Sequence, residues 1–166
     1  MQIRTANMKD LDAVAALEAA CFPPAEAATR QSLQERLKVF GQHFLLLTEQ
    51  DTLIGFINGM VTDLPDLEDR MFEQADLHNE QGAWQMIFGL DVREQDRRHG
   101  YGARLVKAMT EHARRQGRRG LVLTCKEYRL SYYGKLGFVD EGFCGSVHGG
   151  VRWHQMRLTF GEETQR

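Results

Sequence analysis

The sequence is short of most residues that would mark a specialised class. Its three cysteines, Cys21, Cys125 and Cys144, are odd in number and widely spaced. That pattern excludes a disulfide framework and reads as free thiols in a reducing compartment. Three prolines, and no repeat or low-complexity tract, leave nothing that would split the 166 residues into separate units. No apolar run approaches the roughly 18 residues of a membrane-spanning helix. The opening "MQIRTANMKDLD" also lacks a signal peptide's apolar stretch, so the expected location is the cytoplasm with no membrane partner. A surplus of charge is missing too: 21 Lys and Arg stand against 23 Asp and Glu, a formal net charge of −2. This argues against a general binder of nucleic acid. What is present is an ordinary globular composition, 42% apolar and 27% charged. The expectation is one domain over 1–160, then a polar, frayed tail at 161–166.

Periodicity sets the order of elements. "QIRTA" (2–6) reads as a strand, and Asp10 is placed to cap a helix over 11–21 with Leu11, Val14 and Leu17 on its apolar stripe. "CFPP" ends that helix. A second helix is expected over 28–40, then a hairpin of "HFLLLTE" and "TLIGFINGMV" turning at Asp51. Residues 62–83 are acidic and weakly patterned, a long loop. "WQMIFGLDV" (84–92) reads as one central strand with Trp84, Met86, Phe88, Leu90 and Val92 on one face. A helix to about 116, a strand at 119–125, a short helix at 128–136 and strands at 137–142 and 151–160 complete an α/β fold, a mixed sheet flanked by helices.

The stretch "EQDRRHGYGARLVKAM" (94–109) raises the main question. Gly100 and Gly102 stand at the head of an amphipathic helix that they weaken by about 1 kcal/mol each relative to alanine. The third glycine of a dinucleotide fingerprint is absent, since Leu105 holds that place, and no GxxxxGK[ST] loop occurs. What remains is strand, glycine turn and helix. Backbone N–H groups at a helix start are free donors at the positive end of the dipole, and bare glycines let an anion reach them. Arg97 and Arg98 add charge-assisted contacts.

"Arg97-Arg98-His99-Gly100-Tyr101-Gly102" resembles the [Q/R]-x-x-G-x-[G/A] loop of the GNAT superfamily of acyl-CoA N-acyltransferases. "Tyr132-Tyr133-Gly134-Lys135-Leu136-Gly137-Phe138" resembles that family's Y-x-x-x-G-F element. The resemblance covers roughly 1–160 and implies a single-domain GNAT-like fold, mostly antiparallel, splayed at its central strand and with helices on both faces. It implies acetyl-CoA as co-substrate. Its pantetheine arm would pair with the strand at Leu90, Asp91 and Val92, and its pyrophosphate would sit on Arg97, Arg98, His99, Gly100, Tyr101, Gly102 and Ala103. Gly89 would mark the bulge where the sheet splays. Tyr133 would lie near the CoA sulfur as the acid for the departing thiolate, a phenol of pKa near 10 serving a thiol near 8.5. Leu90 N–H would face the carbonyl oxygen. No metal is implied.

A narrower resemblance begins at "Cys21-Phe22-Pro23-Pro24-Ala25-Glu26-Ala27-Ala28-Thr29", which is similar to a segment of serotonin (arylalkylamine) N-acetyltransferases. "Ser146-Val147-His148-Gly149-Gly150…Trp153" and "Cys125-Lys126-Glu127" resemble further elements of that group. The two strand histidines of its vertebrate members are replaced by Met86 and Phe88, so their proton relay is absent. Glu26 and His148 are the alternative bases, Glu26 needing a place in the acceptor cleft. Phe22, Pro23, Pro24 and Phe88 are the expected acceptor contacts, and Phe56, Tyr132, Phe143 and Trp153 are further aromatic candidates. The acceptor is then a small-molecule primary amine, an arylalkylamine for instance, attacking directly in a ternary complex. A polyamine, an aminoglycoside or a protein N-terminus stays open. So does a CoA-binding regulatory module without turnover, and the chain reads as monomer or homodimer.

Overall fold

In the computed structural model, which describes residues 1–146 and 148–161, the strand and helix patterns come out in nearly the expected order. The first half runs β1 (Gln2–Thr5), α1 (Leu11–Cys21), α2 (Arg30–Phe40), β2 (Phe44–Glu49), β3 (Thr52–Asn58), β4 (Val61–Thr62) and α3 (Asp69–Glu73). The second runs β5 (Trp84–Ile87), β6 (Gly89–Val92), α4 (Tyr101–Arg115), β7 (Gly120–Cys125), α5 (Leu130–Gly134), β8 (Val139–Phe143) and β9 (His154–Thr159). Two sheets result, ordered β1-β2-β3-β6 and β4-β5-β7-β9-β8. Among the described residues β5 and β7 form the one parallel pair.

Local chemistry explains most boundaries. Gln50 and Asp51, with φ of 49° and 64°, make the tight turn between β2 and β3. Thr29 accepts the Ser32 N–H at 3.1 Å and starts α2. Asp10 does not cap α1 through its side chain. Its carboxylate holds Arg4 at 2.8 Å and the Asn7 N–H at 2.8 Å. Gly117, at φ +76°, stops α4.

The strand expected over 84–92 is two strands. Val61 faces Gln85 and Thr62 faces Trp84, whereas Asn58 faces Gly89 and Ile57 faces Leu90. The sum of partner numbers changes by one, so Phe88 and Gly89 both oppose Asn58, and Phe88 N–H donates to the Asn58 carbonyl at 2.7 Å. This one-residue bulge reverses which face each later side chain takes. Trp84, Met86 and Phe88 pack with Phe40 and Met71, while Leu90 joins Ile87 on the α4 side. Leu90 therefore does not share a face with Phe88, and Asp91 turns inward toward α1.

Helices cover both faces. Leu105, Val106, Met109 and Ala113 of α4 pack on Leu45, Leu47, Ile54 and Ile57. On the other face Leu11, Val14 and Leu17 of α1 and Leu33 and Leu37 of α2 cover Phe44, Leu46 and Phe56. Each such side chain contributes about 1.5–3 kcal/mol by leaving water. The acidic stretch 62–83 is not simply a solvated loop, because Leu67, Met71 and Ala75 are buried in the third cluster.

Candidate functional site

The bulge separates the two sheets, and the gap it opens lies between β6 and β7. Arg93 N–H donates to the Ile54 carbonyl at 2.9 Å, and bonded positions alternate along an antiparallel pair. Asp91 therefore bonds Phe56, while Leu90 and Val92 turn their backbone groups away from β3 into the gap. The Val92 carbonyl accepts from Arg97 Nε at 3.1 Å and Cys21 Sγ at 3.5 Å on that open side.

At one end of the gap stands the head of α4. Arg98 and Gly100 are both left-handed, at φ 68° and 80°, and a Cβ on Gly100 would meet nothing within 4 Å. Alternating left-handed residues turn successive N–H groups to one side, where the helix dipole adds positive potential. Gly102 serves a different purpose: a Cβ there would lie 2.7 Å from the Tyr132 hydroxyl and 3.5 Å from Leu90 Cδ2. Its bareness lets α5 and β6 approach the helix. His99 is exposed and stacks on Tyr101 at 5.7 Å, outside the cleft lining.

A continuous cleft of about 800 Å³ joins this turn to the region between α1 and α2. Leu90, Val92, Arg97, Arg98, Gly100, Tyr101, Gly102, Ala103 and Tyr133 all line it. Asp91 does not, being fully buried beneath β6. Tyr133 packs edge-on against Tyr132 and Phe138, at 5.1 and 5.9 Å. Burial pushes its phenol above the ordinary value, and the nearby Asp91 carboxyl adds to the rise. Cys125 also lines the cleft, but burial pushes its thiol up to about 11, which leaves it a poor nucleophile at neutral pH.

At the other end, Glu26 and His148 are brought together. Lys126 Nζ holds the Glu26 carboxylate at 2.9 Å, and His148 Nε2 bonds the Glu26 carbonyl at 2.9 Å. A carbonyl only accepts, so His148 carries its proton on Nε2. Its ring stacks on Phe72 at 5.1 Å, and Trp153 Nε1 donates to its carbonyl at 2.7 Å. Val147, beside it in sequence, lies outside the described residues. Phe22, Pro23, Phe88, Tyr132 and Trp153 line the cleft; Pro24 does not. Phe56 is core against Phe44, and Phe143 sits on β8 under Arg152. Sequence reading missed Lys126, Phe72 and the buried Arg36, whose partners lie far along the chain.

Away from the cleft, His43, His78 and Glu80 bring three ligand-type atoms within 4.8 Å of one another. The Val61 N–H donates to His78 Nδ1 at 3.0 Å. That places the His78 proton on Nε2, directed at Glu80 2.9 Å away. His43 spans Glu80 and His112, both at 2.9 Å, and burial pushes His112 down to about 4. As arranged, these side chains form a hydrogen-bond chain that ties the turn before β2 and the 62–83 stretch to α4.

Comparisons with known proteins agree with this layout. A family model described as the acetyltransferase (GNAT) family matches residues 11–138. Among solved structures, the loading GNATL domain of CurA from Lyngbya majuscula superposes with a TM-score of 0.84 at 17% identity, over 95% of this chain and 96% of that one. The GphF GNAT-like decarboxylase in complex with isobutyryl-CoA gives 0.81 at 23% identity, over 96% and 99%. The ribosomal-protein-S18-alanine N-acetyltransferase from Escherichia coli gives 0.69 at 16% identity, over 97% and 96%. At these identities the likeness is one of fold. No helix among the described residues is long and apolar enough to cross a membrane.

Proposed function

The chain belongs to the acetyltransferase (GNAT) family and is an acyltransferase of that type, and we propose that it moves an acetyl group from acetyl-CoA to a primary amine carried on an apolar or aromatic body. One observation carries the reading: the open edge of β6, the left-handed turn heading α4 and Tyr133 all meet in a single cleft. Each part fits a piece of acetyl-CoA. The turn and its arginines suit the pyrophosphate, and the open backbone of Leu90 with the Val92 N–H suits the pantetheine amides. Solved neighbours that hold isobutyryl-CoA or coenzyme A support this choice.

The transfer is direct. The amine lone pair attacks the thioester carbon, the C–N bond forms, and the C–S bond breaks as its electron pair leaves on sulfur. The surplus proton on nitrogen passes to that sulfur to give the free thiol. Leu90 N–H donates to the carbonyl oxygen as charge grows there. Tyr133 keeps its proton through the neutral range. Full transfer to a thiolate of pKa near 8.5 would run uphill, so the phenol acts as a hydrogen-bond donor that steadies the departing sulfur.

Phe22, Phe72, Phe88 and Trp153 form the wall of the acceptor end, which favours an arylalkylamine. Glu18, Glu26 and Glu73 are set against Arg36 and Lys126 there. This mixed charge is a poor match for a polycation. Glu26 and His148, tied to Lys126 and to each other, shape this end of the cleft. The test is thiol release from acetyl-CoA with tryptamine, phenethylamine, spermidine, kanamycin and an alanine-initiated peptide. The aromatic amines are expected to be fastest. No release above blank with any amine would refute the enzyme reading and leave a CoA-binding regulatory module.

A further inference from the structure

Four polar side chains are buried together at the bulge. Glu18 of α1, Arg36 of α2, Asn58 of β3 and Asp91 of β6 are 5%, 4%, 0% and 0% exposed. Their mutual bonds leave atoms over. Glu18 Oε2 accepts the Ala28 N–H at 2.9 Å, and Arg36 donates to Asn58 Oδ1 at 3.1 Å and to the Phe72 carbonyl at 3.0 Å. The Arg36 contact fixes which way the Asn58 amide points. Asn58 Nδ2 has no acceptor among the described residues, and the Asp91 carboxyl has no donor, its hydrogen-bonding neighbour being the Glu18 carboxyl. Buried polar atoms in that condition call for a reason.

These atoms converge on the place where Gly89 lacks a side chain. A Cβ there would lie 3.3 Å from Asp91 Oδ1, 3.5 Å from Asn58 Nδ2 and 3.8 Å from Glu18 Oε1. Glu18, Arg36 and Gly89 all line the cleft. The polar floor therefore opens onto its acceptor end, one residue from Leu90. Burial and the neighbouring Glu18 raise the Asp91 carboxyl well above the usual carboxylate range. The Asp91 carboxyl is thereby held protonated beside Glu18, and both are set against the guanidinium of Arg36. The other titratable group facing them is the Cys21 thiol of α1, with Arg97 beyond it.

We infer that this floor is the amine's seat: the ammonium head lies over the bare Cα of Gly89, Glu18 takes its proton, and Asp91 is a positioning residue beside it. The inference rests on the acyl-transfer reading above. In the step, one N–H bond breaks with its electron pair staying on nitrogen, and an O–H bond forms at Glu18 Oε1. The carboxyl pair then holds two protons and no charge, and returns one to water through the open cleft. The freed lone pair is available to the thioester carbon beside Leu90. Of the rival bases, the Glu26 carboxylate is taken by Lys126, and the His148 ring is anchored through its Nε2–H on the Glu26 carbonyl.

Glu18→Gln keeps the size and an acceptor for Ala28 while removing the carboxylate, and the probe is whichever panel amine the wild type acetylates fastest. The expected result is a fall in kcat/KM of about 100-fold at pH 7, loss of the acidic limb of its pH profile, and acetyl-CoA affinity within twofold. Gly89→Ala, which crowds the floor, is expected to raise KM for the amine without changing acetyl-CoA affinity. A Glu18→Gln enzyme within threefold of wild type, with the same acidic limb, overturns the inference while the enzyme reading stands. Absence of turnover by the wild type sinks both. Carboxyl 13C NMR needs no substrate. One carboxyl is expected to titrate far above the rest and to move lower in Glu18→Gln, and no such carboxyl also overturns the inference.

Discussion

Replacing Gly102 by alanine tests whether this glycine is kept for a contact that runs to the reacting centre. Alanine inside α4 gains about 1 kcal/mol of helix propensity, so on propensity alone the variant would be more stable. The added Cβ would stand 2.7 Å from the Tyr132 hydroxyl, where ordinary contact begins at 3.4 Å. The hydroxyl must therefore retreat by about 0.7 Å, the difference of those distances. Tyr132 lies edge-on to Tyr133 at 5.1 Å, so its retreat moves the Tyr133 ring as well. Misplacement on the ångström scale near reacting atoms costs up to about 100-fold in rate, and about tenfold in kcat is expected here, with little change in Tm. Tyr132→Phe supplies the control, because without the hydroxyl the nearest ring atom is Cζ at 3.8 Å. In that background Gly102→Ala should cost almost nothing, a coupling of about 1.4 kcal/mol in a double-mutant cycle. Steady-state kinetics and thermal melting of the four proteins decide it. An equal loss of kcat with and without the Tyr132 hydroxyl would refute the reasoning.

Tyr133→Phe is expected to lower kcat about 100-fold and leave acetyl-CoA affinity within twofold, as measured by initial rates and calorimetry. Gly100→Ala forces a side chain into left-handed backbone. A cost of about 1–2 kcal/mol should lower Tm by about 2–8 °C, which calorimetric melting reads directly. Cys125, its thiol pushed up to about 11, should resist iodoacetamide at pH 8 and react faster as pH rises toward that value, as followed by intact mass. Arg4 holds the Asp10 carboxyl below the ordinary value, so its contribution to stability is full above about pH 4 and fades as pH falls further. The gap in denaturation midpoint between wild type and Asp10→Asn should accordingly close in acid.

Local chemistry was legible wherever one stretch of chain decides the outcome. The turn at Gly100, the stop at Gly117 and the hairpin at Asp51 follow from backbone preferences, and the stripes of α1, α2 and α4 from the helical period. The bulge at Gly89 was expected from a glycine inside a strand, but its effect on side-chain parity was not, since a bulge leaves no mark in a period-two pattern. That reversal places Leu90 on the α4 side and buries Asp91 beside Glu18, 73 residues away in the chain. The bond between Lys126 and Glu26 spans 100 residues and has no local signal either. In the acidic stretch 62–83, Leu67, Met71 and Ala75 are too sparsely spaced to announce a buried face before the third cluster is assembled around them. The turn at the head of α4 was thus readable from motif and backbone preference, while the end of the cleft at α1 and α2 is made by contacts between distant segments.

The central claim is that the cleft between β6 and β7, headed by the turn at Arg98 and Gly100, binds acetyl-CoA. Thermal melting of the purified protein against acetyl-CoA tests it most directly. At a ligand concentration 100 times Kd, mass action adds about 2.7 kcal/mol to the folded state, a rise in Tm of about 5–11 °C for a domain of this size. The account predicts that rise, and predicts that Gly100→Ala needs more ligand to reach it. An unchanged Tm at millimolar acetyl-CoA would contradict it.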